Sequence, residues 1–327
     1  MSKARSLAAL GNAYDDGALS NRNRIINGAM VIDQRNGGSA VSIGAGNTYG
    51  VDRWKGQGSG GGAWTAQQSS NAPAGFTNST LLTVTTADAS IAASDYYIWG
   101  QAIEGFNTAD LGFGTSNAKP ITLSFWVRSS ITGSYALFLD NSGDNRTYVA
   151  EYTINSADTW EYKTITISGD TAGSWLTTNG IGIALWFTFG AGSNFNATAD
   201  TWNASLEMNT SGSTQWISTL GATFYITGVQ LEVGDTATPF EHRSYGQELA
   251  LAQRFFYKAG NLYGCAYGAS ASMVTYHMPT SMRTTPSVTS VVGNGTLQTT
   301  FVDVDSVQFY TTTTVGQIFS MTADAEL

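Results

Sequence analysis

The sequence predicts an all-β protein: a jelly-roll β-sandwich, then a short connector helix, then a small C-terminal β domain. Three observations carry that reading. Short runs of alternating apolar and polar residues, the period of a half-buried strand, recur between clusters of Gly, Asn, Asp and Ser. Only 12% of the 327 residues are charged while 42% are hydrophobic and 37 are glycine, the composition of a packed, turn-rich chain. Helical periodicity is confined to one stretch near residue 250.

The candidate strands of the first domain are 81–85, 94–101, 121–128, 135–139, 147–154, 161–167, 182–189 and 224–233. Ile121-Thr-Leu-Ser-Phe-Trp-Val-Arg128 puts Ile121, Leu123, Phe125 and Val127 on one face, and 161–167 alternates the same way. About eight such strands without intervening helices argue for two sheets packed face to face, which also limits exposed edges. Ahead of them, 24–33 reads as a further strand with Ile25, Ile26, Met30 and Ile32 as its apolar content. Residues 37–62 are dominated by Gly, Ser and Asn around Tyr49, Val51 and Trp54. Gly56-Gln-Gly-Ser-Gly-Gly61 fits the GxGxxG pattern, but no helix opens behind it to receive a pyrophosphate, so it reads as a flexible loop between strands.

The sandwich closes at 224–233, where Gly234 and Asp235 end the alternation and Pro239 biases Thr238 toward an extended connector. Residues 247–257 hold the run of helix formers, with Leu249, Ala252, Phe255 and Phe256 near helical spacing. Beyond them, 264–269, 273–278, 287–292, 297–302, 306–310 and 317–322 read as short strands. The expected domains are an attachment arm over 1–20, the sandwich over 21–240, the connector with its helix over 241–258, and the C-terminal β domain over 259–327. A β domain that small buries a modest fraction of its surface, which predicts an intersubunit contact. Two readings of the helix stand side by side: Leu249, Ala252 and Phe256, near heptad spacing, face an oligomer axis, or the helix covers one end of the sandwich.

A net charge of −9 argues against a nucleic-acid partner held by phosphate neutralisation. Residues 1–10 lack the apolar run of a secretory signal, and no 18-residue apolar stretch predicts a membrane-spanning helix. The single Cys265 excludes an internal disulfide framework and fits synthesis in a reducing cytosol. Reactive chemistry is sparse. The histidines are His242 and His277, with no HExxH, no paired cysteines and no GxSxG elbow, so neither a catalytic residue nor a cofactor is expected. A carboxylate pair for glycoside hydrolysis is defined by spatial separation and leaves no mark in spacing, which keeps a polysaccharide depolymerase as an alternative.

Asp140-Asn-Ser-Gly-Asp-Asn145 gathers oxygens suited to a hard cation, making Asp140 and Asp144 candidate calcium ligands, although Asx-turn chemistry at a hairpin accounts for the same residues. Most of the 9 tryptophans belong in the core. Trp175, Trp202 and Trp216 lie in Gly/Ser/Asn/Thr-rich stretches, where loops present side chains to solvent, and are the candidates for stacking on a sugar ring.

Gly228-Val-Gln-Leu-Glu-Val-Gly234 followed by Ala237-Thr-Pro-Phe-Glu-His-Arg243 resembles the junction of a widespread group of bacteriophage and prophage tail-fibre-like virion proteins, in which a jelly roll ends in such a strand and connector. Two further blocks match that group: Asn21-Arg-Asn-Arg-Ile-Ile-Asn-Gly-Ala-Met-Val-Ile-Asp-Gln-Arg35, and Met282-Arg-Thr-Thr-Pro-Ser-Val-Thr289 with Ala323-Asp-Ala-Glu-Leu327. The sandwich also resembles carbohydrate-binding-module jelly rolls in Phe125-Trp-Val-Arg128, in the Trp160-Glu-Tyr-Lys163 strand start and in its long final strand. The resemblance implies a homotrimeric virion component made in the host cytoplasm, a tail fibre or similar appendage that touches the host surface and binds glycans there. A capsid decoration or cement protein is the alternative, since it needs the same sandwich and arm.

Overall fold

In the first 242 residues the alternating runs become thirteen strands among the described residues: β1 (Val41–Ile43), β2 (Thr48–Tyr49), β3 (Lys55–Gly58), β4 (Ala63–Ser69), β5 (Ser79–Thr86), β6 (Tyr96–Glu104), β7 (Ile121–Ser129), β8 (Gly133–Asp140), β9 (Thr147–Ile154), β10 (Glu161–Ile167), β11 (Ile181–Ala191), β12 (Thr201–Asn203) and β13 (Thr223–Val233). This computed structural model describes residues 21–263, 265–266, 272–292, 297–311 and 318–327; the expected arm over 1–20 lies outside them. One antiparallel sheet has the order β1-β4-β5-β13-β7-β10 and the other β12-β9-β8-β11-β6-β3-β2. Their inner faces share one apolar core, built on Trp54, Trp64, Trp99, Phe125, Phe187, Phe189, Trp216 and Phe224. This is the jelly-roll sandwich that the alternation predicts.

Residues 24–33 are not a strand. Asn27 and Met30 take left-handed φ values of 58° and 57°, which interrupts extended pairing. The apolar side chains are buried all the same, and the backbone is satisfied by side chains. Asn27, fully buried, donates to Ile32 O (2.8 Å) and Asp52 O (2.9 Å) and accepts from Ile32 N (2.9 Å). Gln101 accepts from Ile26 N and donates to Ile26 O. Gly56 and Gly58 lie within β3, so the glycine-rich stretch is partly strand and not wholly a loop.

β13 is bonded on both edges along most of its length, in two stages. β5 pairs with it at Thr223–Ile226; a bulge follows, with Gly228 at φ 62°. Past the bulge the N-terminal segment takes over from β5: Val229 N donates to Gly28 O (3.0 Å), Arg24 N to Leu231 O (2.9 Å), and Leu231 N to Asn23 Oδ1 (3.1 Å). A Cβ on Gly28 would stand 2.2 Å from Val229 O, so this approach requires glycine.

The turn between β9 and β10 is organised by Glu161, whose carboxylate accepts from Asn155 N, Ser156 N and Asn155 Nδ2 (each 2.8 Å) and from Lys163 Nζ (2.6 Å). Burial on its own raises the pKa of this carboxyl, but the ammonium and the amide donors outweigh it and hold the group down at about 2, against an ordinary 4.5. A carboxyl lowered on folding contributes stability that is complete above its unfolded pKa and is lost as pH falls through the folded one. The stability gap between wild type and Glu161→Gln is therefore expected to be constant from neutrality to about pH 5 and to close between about pH 4.5 and 2, as measured by denaturation at stepped pH. A gap that persists unchanged at pH 2 would mean that the carboxylate charge plays no part.

The second unit begins at Arg243. Its helix α1 (Tyr245–Gln253) is capped by Ser244, whose hydroxyl accepts from Gln247 N, and Arg243 pairs with Glu248 at 3.4 Å. Helix formers run on to Tyr257, yet the helix stops at Gln253 and Phe256 opens β14 (Phe256–Tyr263). β15 (Cys265–Ala266), β16 (Ser272–His277), β17 (Ser287–Val292), β18 (Leu297–Val302), β19 (Ser306–Thr311) and β20 (Ile318–Asp324) complete two sheets, β14-β20-β17 and β15-β16-β19-β18. Parts of the expected strands 264–269 and 317–322 lie outside the described residues. Ala259, Met278, Met282, Val307, Phe309 and Met321 form a separate small core. Ala252 and Phe256 are buried, and Phe256 is a strand residue. The expected helical stripe of Leu249, Ala252 and Phe256 therefore does not exist as one exposed face, and of the three Leu249 alone keeps partial exposure.

Candidate functional site

Two loops at one end of the sandwich, 105–118 and 168–180, build the candidate site. The second is tied down by charge: Arg146 donates from Nε (2.7 Å) and Nη2 (2.6 Å) to the two oxygens of the buried Asp170 carboxylate. Asp170 Oδ1 also accepts from Ala172 N, and Asn141 Nδ2 donates to Ser174 O at 2.9 Å. The first loop is pinned to the second by backbone bonds from Gly105 N to Gly180 O (2.8 Å), Phe106 N to Thr178 O (2.9 Å) and Gly114 N to Asp170 O (2.7 Å).

Held this way, Trp175 meets Phe113 at 5.0 Å and Trp202 at 5.4 Å between ring centroids, both edge to face. Trp202 also touches Phe113 (5.8 Å) and, from its register position opposite Tyr148, the Tyr148 ring (5.2 Å). The indole N–H groups are spoken for, Trp175 by Ala172 O (3.1 Å) and Trp202 by Ser168 O (2.8 Å). Trp175 and Trp202, 27 positions apart in the chain, thus share one half-buried aromatic cluster.

Beside that cluster opens a cavity of about 140 Å³ lined by Phe113, Trp175, Ile183, Ala109, Leu176, Gly112 and the threonines Thr108, Thr115 and Thr177. None of the lining residues is ionisable. Nearby Tyr148 has its phenol pushed up to about 12 by burial first and by Asp200 second, so it stays neutral across the working pH range. A space worth about four or five waters, lined by two aromatic residues, aliphatic side chains and threonines, fits a single uncharged, hydroxylated ring. It offers no cationic side chain to a phosphate or a carboxylate.

Trp216 is elsewhere. Its short 3₁₀ turn dips into the core, where the ring is fully buried against Phe189 (5.0 Å) and Phe224, with no face left for a ligand. Phe113, which completes the cluster, was not singled out in the sequence; it stands between two glycines, the same loop signal that marked Trp175.

The Asp140–Asp144 turn is closed by Asn141, whose Oδ1 accepts from Asn145 N and Arg146 N and whose Nδ2 donates to Asn145 Oδ1, the Asx-turn alternative. Burial drives the Asp140 carboxyl well above the usual carboxylate range, Asp144 adds to the rise, and the Trp186 indole and Lys55 oppose it. Lys55, buried over the Trp186 ring at 5.4 Å, is pushed down to about 8 by burial and by Arg53. No cluster of three or more His, Cys, Asp or Glu occurs among the described residues. The Asx-turn bonds of Asn141 account for the sequence of this turn without a cation.

No protein-family model and no curated protein matches the chain. Among solved structures it is similar to the enzymatically active domain of tailspike protein 4 of bacteriophage CBA120 (14% identity, TM-score 0.36, 65% of this chain and 22% of that one). It is also similar to the family 11 carbohydrate-binding module from Clostridium thermocellum in complex with a β-1,3-1,4-mixed-linked tetrasaccharide (13%, 0.30, 60% and 95%) and to a family 30 carbohydrate-binding module (12%, 0.31, 67% and 93%). The aligned part spans about a fifth of the tailspike chain. Likenesses at this level say nothing of what this chain binds, which rests on its own residues.

Proposed function

We propose that the chain is a non-catalytic component of a bacteriophage particle, a tail fibre or tail-fibre-like appendage, that holds a neutral glycan of the host surface in the Phe113–Trp175 cavity. The observation that carries the binding half is the lining itself: the half-buried rings of Phe113 and Trp175 together with three threonines, with no charged residue among them. The particle half is supported by the resemblance of 21–35, 228–243, 282–289 and 323–327 to tail-fibre-like proteins. Those blocks do conformational work. The first two meet along β13. In the last two, Arg283 Nε donates to Ala325 O (2.6 Å) and Ala325 N to Phe255 O (2.8 Å).

The test is affinity electrophoresis of the purified chain through gels containing dextran, mannan, galactan, xylan or mixed-linkage β-glucan. Retardation by at least one is expected, and Trp175→Ala is expected to weaken it about ten- to a hundred-fold, as loss of a central ring contact does. No retardation in any gel would sink the glycan reading. Release of new reducing ends from the retarding polymer would overturn the non-catalytic one. Immunogold label confined to the phage head would overturn the appendage.

A further inference from the structure

The solvent face of the β1-β4-β5-β13-β7-β10 sheet carries a second aromatic surface. On β7 the inward residues Phe125 and Val127 are fully buried, and their neighbours Trp126 and Arg128 point the other way. Tyr162 stands directly opposite Trp126, with ring centroids 5.3 Å apart, and is 45% exposed. One step along, Arg128 stands opposite Tyr225, its guanidinium 5.0 Å over the ring, and Trp160 packs against the same ring at 6.1 Å. That row continues in register through Leu81 to Gln67, so it crosses β7, β13, β5 and β4.

Cross-strand aromatic pairs stabilise a sheet, and one such pair would need no further account. Four rings that keep exposed area in one continuous patch, bordered by Thr164, Asn71 and Gln67, exceed that need. The charge of Arg128 is taken up by Asp158, at 2.8 Å to its carbonyl and 3.1 Å to its carboxylate, leaving a face that matches an uncharged partner. One strand also leads from the patch to the aromatic cluster beside the cavity. β10 carries Tyr162 near its start, and Ser168, one residue past its end, accepts the Trp202 indole N–H, so about 20 Å of extended chain separates Tyr162 from that bond.

We infer that this face is an extended contact for the same neutral glycan whose single ring fits the cavity, making the ligand a polymer several sugars long. The inference rests on the proposed glycan binding and adds the substrate's length. Rings lying on a sheet, with hydroxyl and amide groups between them, suit the alternating apolar and hydroxylated surface of a sugar chain.

The experiment compares wild type, Tyr162→Ala, Trp126→Ala and Trp175→Ala, each checked for fold by circular dichroism. Affinity gels read binding of whichever of the five polysaccharides retards wild type, and calorimetry reads its disaccharide. Tyr162→Ala, at an exposed position that spares the core, and Trp126→Ala are each expected to weaken polymer binding about ten-fold while leaving the disaccharide unchanged. Polymer affinity unchanged in both variants, with Trp175→Ala still impaired, would overturn the inference and leave the cavity reading standing. A change of solution mass in Tyr162→Ala would overturn it in favour of self-association through this face. Wild type that binds no glycan at all would remove both.

Discussion

Replacing Glu232 with alanine is expected to free residues 235–242 from the sandwich and to lower its stability by about 2–5 kcal/mol. The carboxylate is 2% exposed and accepts from Thr238 N (2.8 Å), Thr238 Oγ1 (2.6 Å) and Gln230 Nε2 (2.9 Å), with Arg22 Nε at 3.8 Å. Removing it strands those donors in a site too enclosed for water to replace it fully. Gln230 and Glu241 extend the same network: Glu241 N donates to Gln230 Oε1 (2.8 Å), and Glu241 Oε2 accepts from Asn23 N (2.9 Å). Thr238→Val, which removes one hydroxyl only, is expected to cost about 1 kcal/mol. Limited proteolysis should cut the alanine variant within 235–242 before wild type. A connector that stays protected, with an unchanged denaturation midpoint, would refute the clamp.

Phe125→Ala is expected to cost about 3–5 kcal/mol and to lower the melting temperature of the sandwich by about 10 °C or more. Phe125 comes from β7 of one sheet, and its ring meets Tyr152 of β9 and Phe187 of β11, both in the other sheet, at 5.1 Å each. It is fully buried, so truncation opens a void that the surrounding rings cannot close without leaving their rotamers. Against a total of about 5–15 kcal/mol for an ordinary domain, that loss is a large share. Calorimetry on the full chain reads it directly. A shift under about 3 °C would mean that the two sheets are locked together elsewhere.

Where alternation was clean, the sequence was legible to the residue: 147–154, 161–167, 287–292 and 297–302 are the ends of β9, β10, β17 and β18. β1 to β4 were not read, because in a stretch rich in Gly, Ser and Asn the pairing partners and not the local pattern define the strand. Residues 24–33 misled for the opposite reason. Their apolar content is genuine core, but Asn27 and Gln101 supply the hydrogen bonds that a neighbouring strand would have given. Composition marked Trp175, Trp202 and Trp216 alike as loop residues, yet a single 3₁₀ turn sends Trp216 inward. The exposed Trp126–Tyr162 pair was hidden inside the alternators themselves, since a polar-face position occupied by an aromatic residue looks like one more core residue until the register is known.

The bonds that join 22–24 to 229–241 bring the two ends of the sandwich out side by side. Tension drawn through the chain from residue 21 to residue 242 would fall first on the Arg22–Pro239 and Asn23–Glu241 contacts, while the sheets behind them stayed slack. Under a steady pull the sandwich would therefore hang as a pendant from a thread, shedding its fastening before any strand was peeled away.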